Sequence, residues 1–151
     1  MTMTAYLVDV EARTIRTVQL DPAKSYEQIR DYIGCRLIDM VRIDRHHCIV
    51  VDDNGLRDEL TCFTEVKDLS SPLAGNLLVV GVGAEGETVS PRRTIKDIAG
   101  ILTIRFPVLS PQFQIFDGPN IFGSRVNGFG IALKGVAPKI IPGDSDEIIL
   151  F

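Results

Sequence analysis

Apolar and polar residues change rhythm several times along the chain, and each change marks an element. Tyr6-Leu7-Val8-Asp9-Val10 is rich in β-formers, and Ile15-Arg16-Thr17-Val18-Gln19-Leu20 alternates apolar with polar as a half-buried strand does. The polar stretch Glu11-Ala12-Arg13-Thr14 between them predicts a hairpin. Asp21-Pro22 ends the second strand. Ser25, with Gln28 three positions later, then offers a capping box for a short helix to about Ile33, where Gly34 supplies a left-handed stop.

Leu37 to Ile43 and Cys48 to Val51 read as neighbouring strands joined by the polar connection Asp44-Arg45-His46-His47. Asp52-Asp53-Asn54-Gly55 is a turn, because Asn-Gly accepts positive φ angles. Leu60 to Val66 predicts a further strand. Leu77-Leu78-Val79-Val80-Gly81-Val82 is the most apolar run and predicts a central strand buried on both faces. Thr94-Ile95-Lys96-Asp97 opens a second short helix through about Leu102. After Pro107 the character changes. Phe113, Phe116, Phe122 and Phe129 are interleaved with Gly118, Gly123, Gly128 and Gly130, and Pro107, Pro111, Pro119, Pro138 and Pro142 recur, which favours short strands and ordered loops over helix. The apolar tail Ile148 to Phe151 is expected to dock, as an edge strand of its own sheet or on a partner.

The elements add up to an α+β fold: a mainly antiparallel β-sheet with two short helices and a Gly/Phe/Pro-rich β and loop segment at the C-terminus. Residues 1–90 form the α+β core, and residues 91–151 a short helix and a β-rich basic segment packed with it as one compact unit. A length of 151 residues suits this. A hydrophobic fraction of 45% with 24% charged residues excludes a mainly disordered chain. No secretory signal pattern opens the chain and no apolar run reaches the roughly 18–20 residues that span a bilayer, so a cytoplasmic protein without membrane contact is expected. Cys35, Cys48 and Cys62, widely spaced and odd in number, fit reduced thiols serving as small core residues.

The net charge of −4 hides an asymmetry. Met1 to Glu87 carries 9 Lys/Arg against 15 Asp/Glu, Thr88 to Gly143 carries 7 against 2, and Asp144, Asp146 and Glu147 close the chain. A basic block between acidic ones attracts an anionic ligand or neutralises the rest of its own fold. Within it, Arg92, Arg93, Arg105, Arg125, Asn127 and Lys134 stand among phenylalanines. Arginines fork onto phosphates and aromatics stack on bases, so these six are the candidate ligand-binding residues for an anionic small molecule such as a nucleotide. The competing reading makes the phenylalanines core and the arginines its solvated edge.

Other motifs fail on context. Gly81-Val82-Gly83-Ala84-Glu85-Gly86 has the spelling of a dinucleotide fingerprint, but Glu87-Thr88-Val89-Ser90-Pro91 follows where a helix must start, and Glu85 and Glu87 repel phosphate. His46-His47 are adjacent turn residues near Asp44, poorly placed to converge on a metal. The calcium-loop pattern begun at Asp52-Asp53-Asn54 meets Thr61 where a bidentate carboxylate belongs. Asp58-Glu59 diverge on a strand, and no GxSxG elbow is present. No catalytic residue, metal ligand or cofactor is predicted.

Tyr6 to Val10, Ile15 to Leu20, Ile33-Gly34-Cys35 before Leu37 to Ile43, Val50-Val51-Asp52-Asp53-Asn54-Gly55-Leu56, and Leu73-Ala74-Gly75-Asn76 before Leu77 to Gly81 together resemble domain of unknown function 3846, over about the first 60% of the chain. That family occurs in short proteins of bacteriophages, plasmids and bacteria, and carries no established active site. The resemblance implies an accessory protein of mobile-element type, in company where small proteins modulate host defence. The expected function is therefore non-catalytic binding of an anionic small molecule, with a host protein as another partner and a homo-oligomer as the assembly. Two alternatives remain: a protein–protein interaction module, inhibitor or decoy, acting through the apolar tail, and a metal-dependent hydrolase using His46, His47 and nearby acids.

Overall fold

The computed structural model describes residues 2–53, 62–119 and 122–143. In chain order the strands are β1 (Met3–Asp9), β2 (Thr14–Leu20), β3 (Ile38–Asp44), β4 (His47–Asp52), β5 (Phe63–Val66), β6 (Leu73–Ala74), β7 (Leu77–Val82), β8 (Thr88–Val89), β9 (Leu102–Asp117), β10 (Phe122–Val136) and β11 (Lys139–Ile140), with helices α1 (Ser25–Ile33) and α2 (Ile95–Ala99). One sheet has the order β11-β2-β1-β7-β4-β3, with β8 folded back on β7; the other has the order β10-β9-β5-β6. The pairings are antiparallel, apart from β11 running parallel to β2. The α+β class read from the sequence is the fold observed.

All six residues of β7 are buried, so both of its faces need apolar cover. Leu78, Val80 and Val82 point into a core shared with Ala5, Val18 and Val50, closed by Ile29 and Ile33 of α1. Leu77 and Val79 point the other way, into a core shared with Val8, Ile15 and Ile49. There the cover comes from Ile98 of α2 and from the second sheet through Val66, Leu73, Leu102 and Ile104. The base of the second sheet is thus part of the main core. No helix among the described residues is long and apolar enough to cross a membrane.

Local departures from expectation have local causes. Gly34 does end α1 at φ 80°, its N–H donating to the Arg30 carbonyl at 2.7 Å. The capping box does not form. Pro22 opens a 3-10 turn over Pro22–Lys24, Asp21 caps it by accepting from the Ala23 N–H, and Gln28 reaches past Ser25 to accept from the Asp21 N–H at 2.7 Å. The connection between β3 and β4 is a two-residue turn, Arg45-His46, with a register shift between Arg42 and Asp44. That shift draws His47 into β4, where it is buried and not the exposed turn residue expected. The second helix ends at Ala99, shorter than predicted. Leu60 and Thr61 of the strand expected over Leu60 to Val66, the Gly55 turn and the tail Ile148 to Phe151 lie outside the described residues.

Thr64 of β5 is fully buried between Leu73 and Ile104, and among the described residues its Oγ1 has no hydrogen-bond partner. A buried hydroxyl without a partner forfeits its hydration for nothing in return. Thr64→Val, nearly the same in shape, is expected to stabilise the fold by about 1 kcal/mol. Urea unfolding checks this as a higher midpoint at unchanged slope; a lower midpoint would show that the hydroxyl is engaged.

Candidate functional site

β9 and β10 outrun the sheet that carries them. β5 pairs with β9 only from Leu102 to Arg105, whereas the β9–β10 ladder runs from Ile104 opposite Val136 to Asp117 opposite Phe122. In place of the short strands and loops expected after Pro107, the chain builds one long two-stranded arm. Pro107 and Pro111 fit because they are four apart, so both ring nitrogens face the same edge of β9. Beyond Arg105 that strand has lost β5 as a neighbour, and a missing N–H there costs no ladder bond.

The two faces of the arm differ in chemistry. On one, Pro107 lies opposite Leu133, Leu109 opposite Ile131, Pro111 opposite Phe129 and Phe113 opposite Val126, with Ile115 beyond them opposite Ser124. Leu109, Phe113, Ile115, Val126, Phe129, Ile131 and Leu133 are all exposed. The other face carries Ser110, Gln112, Gln114, Arg125 and Lys134, with Val108, Ala132 and Phe116 among them. A bulge at Asn127, where the register shifts between Val126 and Gly128, sets this division. A one-residue slip exchanges faces, so if Asn127 were paired in regular register opposite Phe113, Arg125 would enter the apolar face and Val126 leave it.

The arm is rooted by two arginines. Arg13, in the β1–β2 turn at φ 59°, holds its guanidinium 3.7 Å from the ring centroid of the buried Phe106, and its carbonyl accepts from the Lys139 N–H at 2.9 Å. Arg105 donates from Nε to Glu65 Oε1 at 3.0 Å and lies across Gly135, where a Cβ would collide with it.

The six residues singled out from the sequence do not share one concavity. Arg92 is exposed in the loop leading to α2, and Arg93 beside it donates to Asp97 Oδ2 at 2.7 Å and to Asp44 Oδ2 at 3.4 Å. Arg105 belongs to the root of the arm. Arg125 donates to Gln114 Oε1 at 3.2 Å and lies 5.4 Å from the Phe116 ring centroid. Asn127 is the bulge, and Lys134 stands opposite Phe106. Arg125 and Lys134, nine residues apart on one strand, are separated by roughly 30 Å. Of the phenylalanines, Phe106 joins the buried set while Phe113 and Phe129 face solvent. The apolar face was missed, although Leu109-Ser110-Pro111-Gln112-Phe113-Gln114-Ile115 alternates as an amphipathic strand must.

The histidine neighbourhood is a structural lock. The backbone N–H groups of Arg92 and Arg93 both donate to His47 Nε2 at 3.1 Å, so the ring proton sits on Nδ1 and is donated to Asp44 Oδ1 at 2.8 Å. The Tyr6 hydroxyl donates to the Arg93 carbonyl at 2.7 Å, and burial pushes its pKa up. With both His47 nitrogens engaged, metal binding there requires breaking this lock, and the described residues hold no cluster of three or more His, Cys, Asp or Glu able to grip an ion. The Gly83–Gly86 turn after β7 returns directly into β8, and the Glu87 carboxylate folds over Gly83 to accept from the Glu85 N–H at 3.0 Å. An acid of the chain occupies the place a phosphate needs.

Partial burial pushes the Asp44 carboxyl up, but hydrogen bonds from His47 and the His46 N–H, with the nearby Arg93 charge, outweigh it and hold the pKa below the ordinary range. A carboxylate depressed in the folded state contributes stability above its unfolded pKa of about 4 and loses it as pH falls through the lower folded value. Asp44→Asn should therefore be less stable than wild type near neutrality, with the difference shrinking below about pH 4. Urea unfolding of both proteins across this range measures it; a gap independent of pH would contradict the assignment.

Comparison with known proteins locates the chain without naming an activity. The family model described as "Domain of unknown function (DUF3846)" matches residues 3–102. Uncharacterized protein y4iR of Sinorhizobium fredii (strain NBRC 101917 / NGR234) is 38% identical over 114 residues, which are 75% of this chain and 70% of that protein. Protein PsiB of Rhizobium leguminosarum bv. phaseoli is 33% identical over 128 residues, 85% of this chain and 90% of that one. No solved structure matches. The match takes in β1 through α2 and stops at the first residue of β9, covering the two-faced core that the sequence pattern had suggested. The chain belongs to the DUF3846 family.

Proposed function

We propose that this is a non-catalytic protein-binding module whose working surface is the β9–β10 arm. The observation that carries the reading is the arm's uncharged apolar face, with Leu109, Phe113, Phe129 and Ile131 held in solvent on a ladder that no other strand among the described residues flanks beyond Arg105. Exposed apolar patches of this extent on a soluble domain mark interaction surfaces. The polar groups that chemistry would need serve the fold instead: His47 spans β4 and the Arg92–Arg93 backbone, and Arg93 lies between two carboxylates. Retention of an anionic small molecule finds less support, because Arg93 and Arg105 are paired with acids and Arg125 and Lys134 stand far apart.

A photo-crosslinking phenylalanine analogue in place of Phe113, on the apolar face, is expected to yield a covalent adduct with protein when irradiated in cells producing the chain. The same analogue in place of Gln112, on the polar face, should yield little. Absence of any protein adduct at position 113, with the purified variant folded by circular dichroism, refutes the reading.

A further inference from the structure

We infer that the occupant of the apolar face is a second copy of this chain, packed face to face on the arm about a two-fold axis. This rests on the protein-binding reading of the arm and names its partner. The first ground is size. The seven apolar side chains of the face other than its prolines are 49–78% exposed. Together they present roughly 1,000 Å² of apolar surface, where a stable interface of standard size takes roughly 800 Å² from each partner.

The second ground is charge. From Pro107 to Ile115 and from Val126 to Leu133 the face carries no Lys, Arg, Asp or Glu. A two-fold axis sets each group near it against its own copy, so a charge there repels itself; an uncharged face meets itself without that penalty. An unlike partner gains nothing in specificity from such a face, whereas homodimer interfaces are the more apolar class. The third ground is shape. The face is one side of a ribbon with Phe113 and Phe129 set among branched side chains, and two such faces interdigitate at the roughly 10 Å spacing of stacked sheets. Gln112, Gln114 and Arg125 then remain on the outside and keep the pair in solution.

Sedimentation of the full chain across a micromolar concentration series is expected to give twice the monomer mass of 16.6 kDa. Leu109→Ser combined with Ile131→Ser, a cross-strand pair on the face, removes contacts from both copies at once and should raise the dissociation constant about a hundredfold. Gln112→Ser on the polar face should leave it unchanged. A wild-type chain monomeric throughout the series, or a dimer indifferent to the serine pair, overturns the inference. Should the serine variant fail to fold, the Phe113 crosslink decides on an otherwise intact chain: an adduct of twice the chain mass supports the dimer. An adduct with a different protein overturns the dimer and leaves the binding module standing, and no adduct removes both.

Discussion

The structure depends on a strand that has no solvent side. Leu77 to Val82 is buried at every position, so the sheet around it must be covered twice, and the rest of the chain is arranged to do so. α1 supplies one cover with Ile29 and Ile33. The other is shared by α2 and the start of the second sheet, and this sharing fixes Leu102 and Ile104 in the main core. β9 therefore leaves the core from a rigid root, which is what allows its outer part to project without further support from its own domain.

Where the sequence was legible, the cause of an element lay within a few residues of it. The buried run of β7, the Gly34 stop and the Thr94 cap on the Asp97 N–H are such cases. Where it was not, the deciding contact was distant. Gln28 had a local partner in Ser25 but was taken by Asp21 once Pro22 had preset the 3-10 turn. His47 looked like one of a pair of turn residues because its acceptor role, for N–H groups 45 and 46 residues away, leaves no trace nearby. The same holds for the arginines. A count of charge by segment cannot show that Arg105 meets Glu65 or that Arg93 meets Asp44. The arm was hidden differently: prolines and glycines were read as punctuation, while an alternation of period two ran through them.

The family match and the core coincide. Residues 3–102 contain both covers of β7 except for the contribution of Ile104, and the arm begins where the match stops. The His47 lock also lies inside the matched part, tying β4 to the loop before α2 and so holding one cover in place. The matched part of this chain is thus the scaffold that holds β7 between its covers. The apolar face of the arm lies in the portion that the family model does not describe, on strands whose root is packed into that scaffold.

A two-stranded ribbon is marginal on its own, since cross-strand pairs contribute only about 0.2–1 kcal/mol each. Covering a large apolar side chain contributes about 1.5–3 kcal/mol, so the surface that meets the face can stabilise the arm more than its own ladder does. Free edges offer a rival route, by adding strands end to end into open assemblies. The arm resists that route at the edge of β9, where Pro107 and Pro111 remove two donors that an added strand would need. Along β9 edge pairing is thus impaired, and packing across the apolar face, unlike strand addition, closes on itself after two copies.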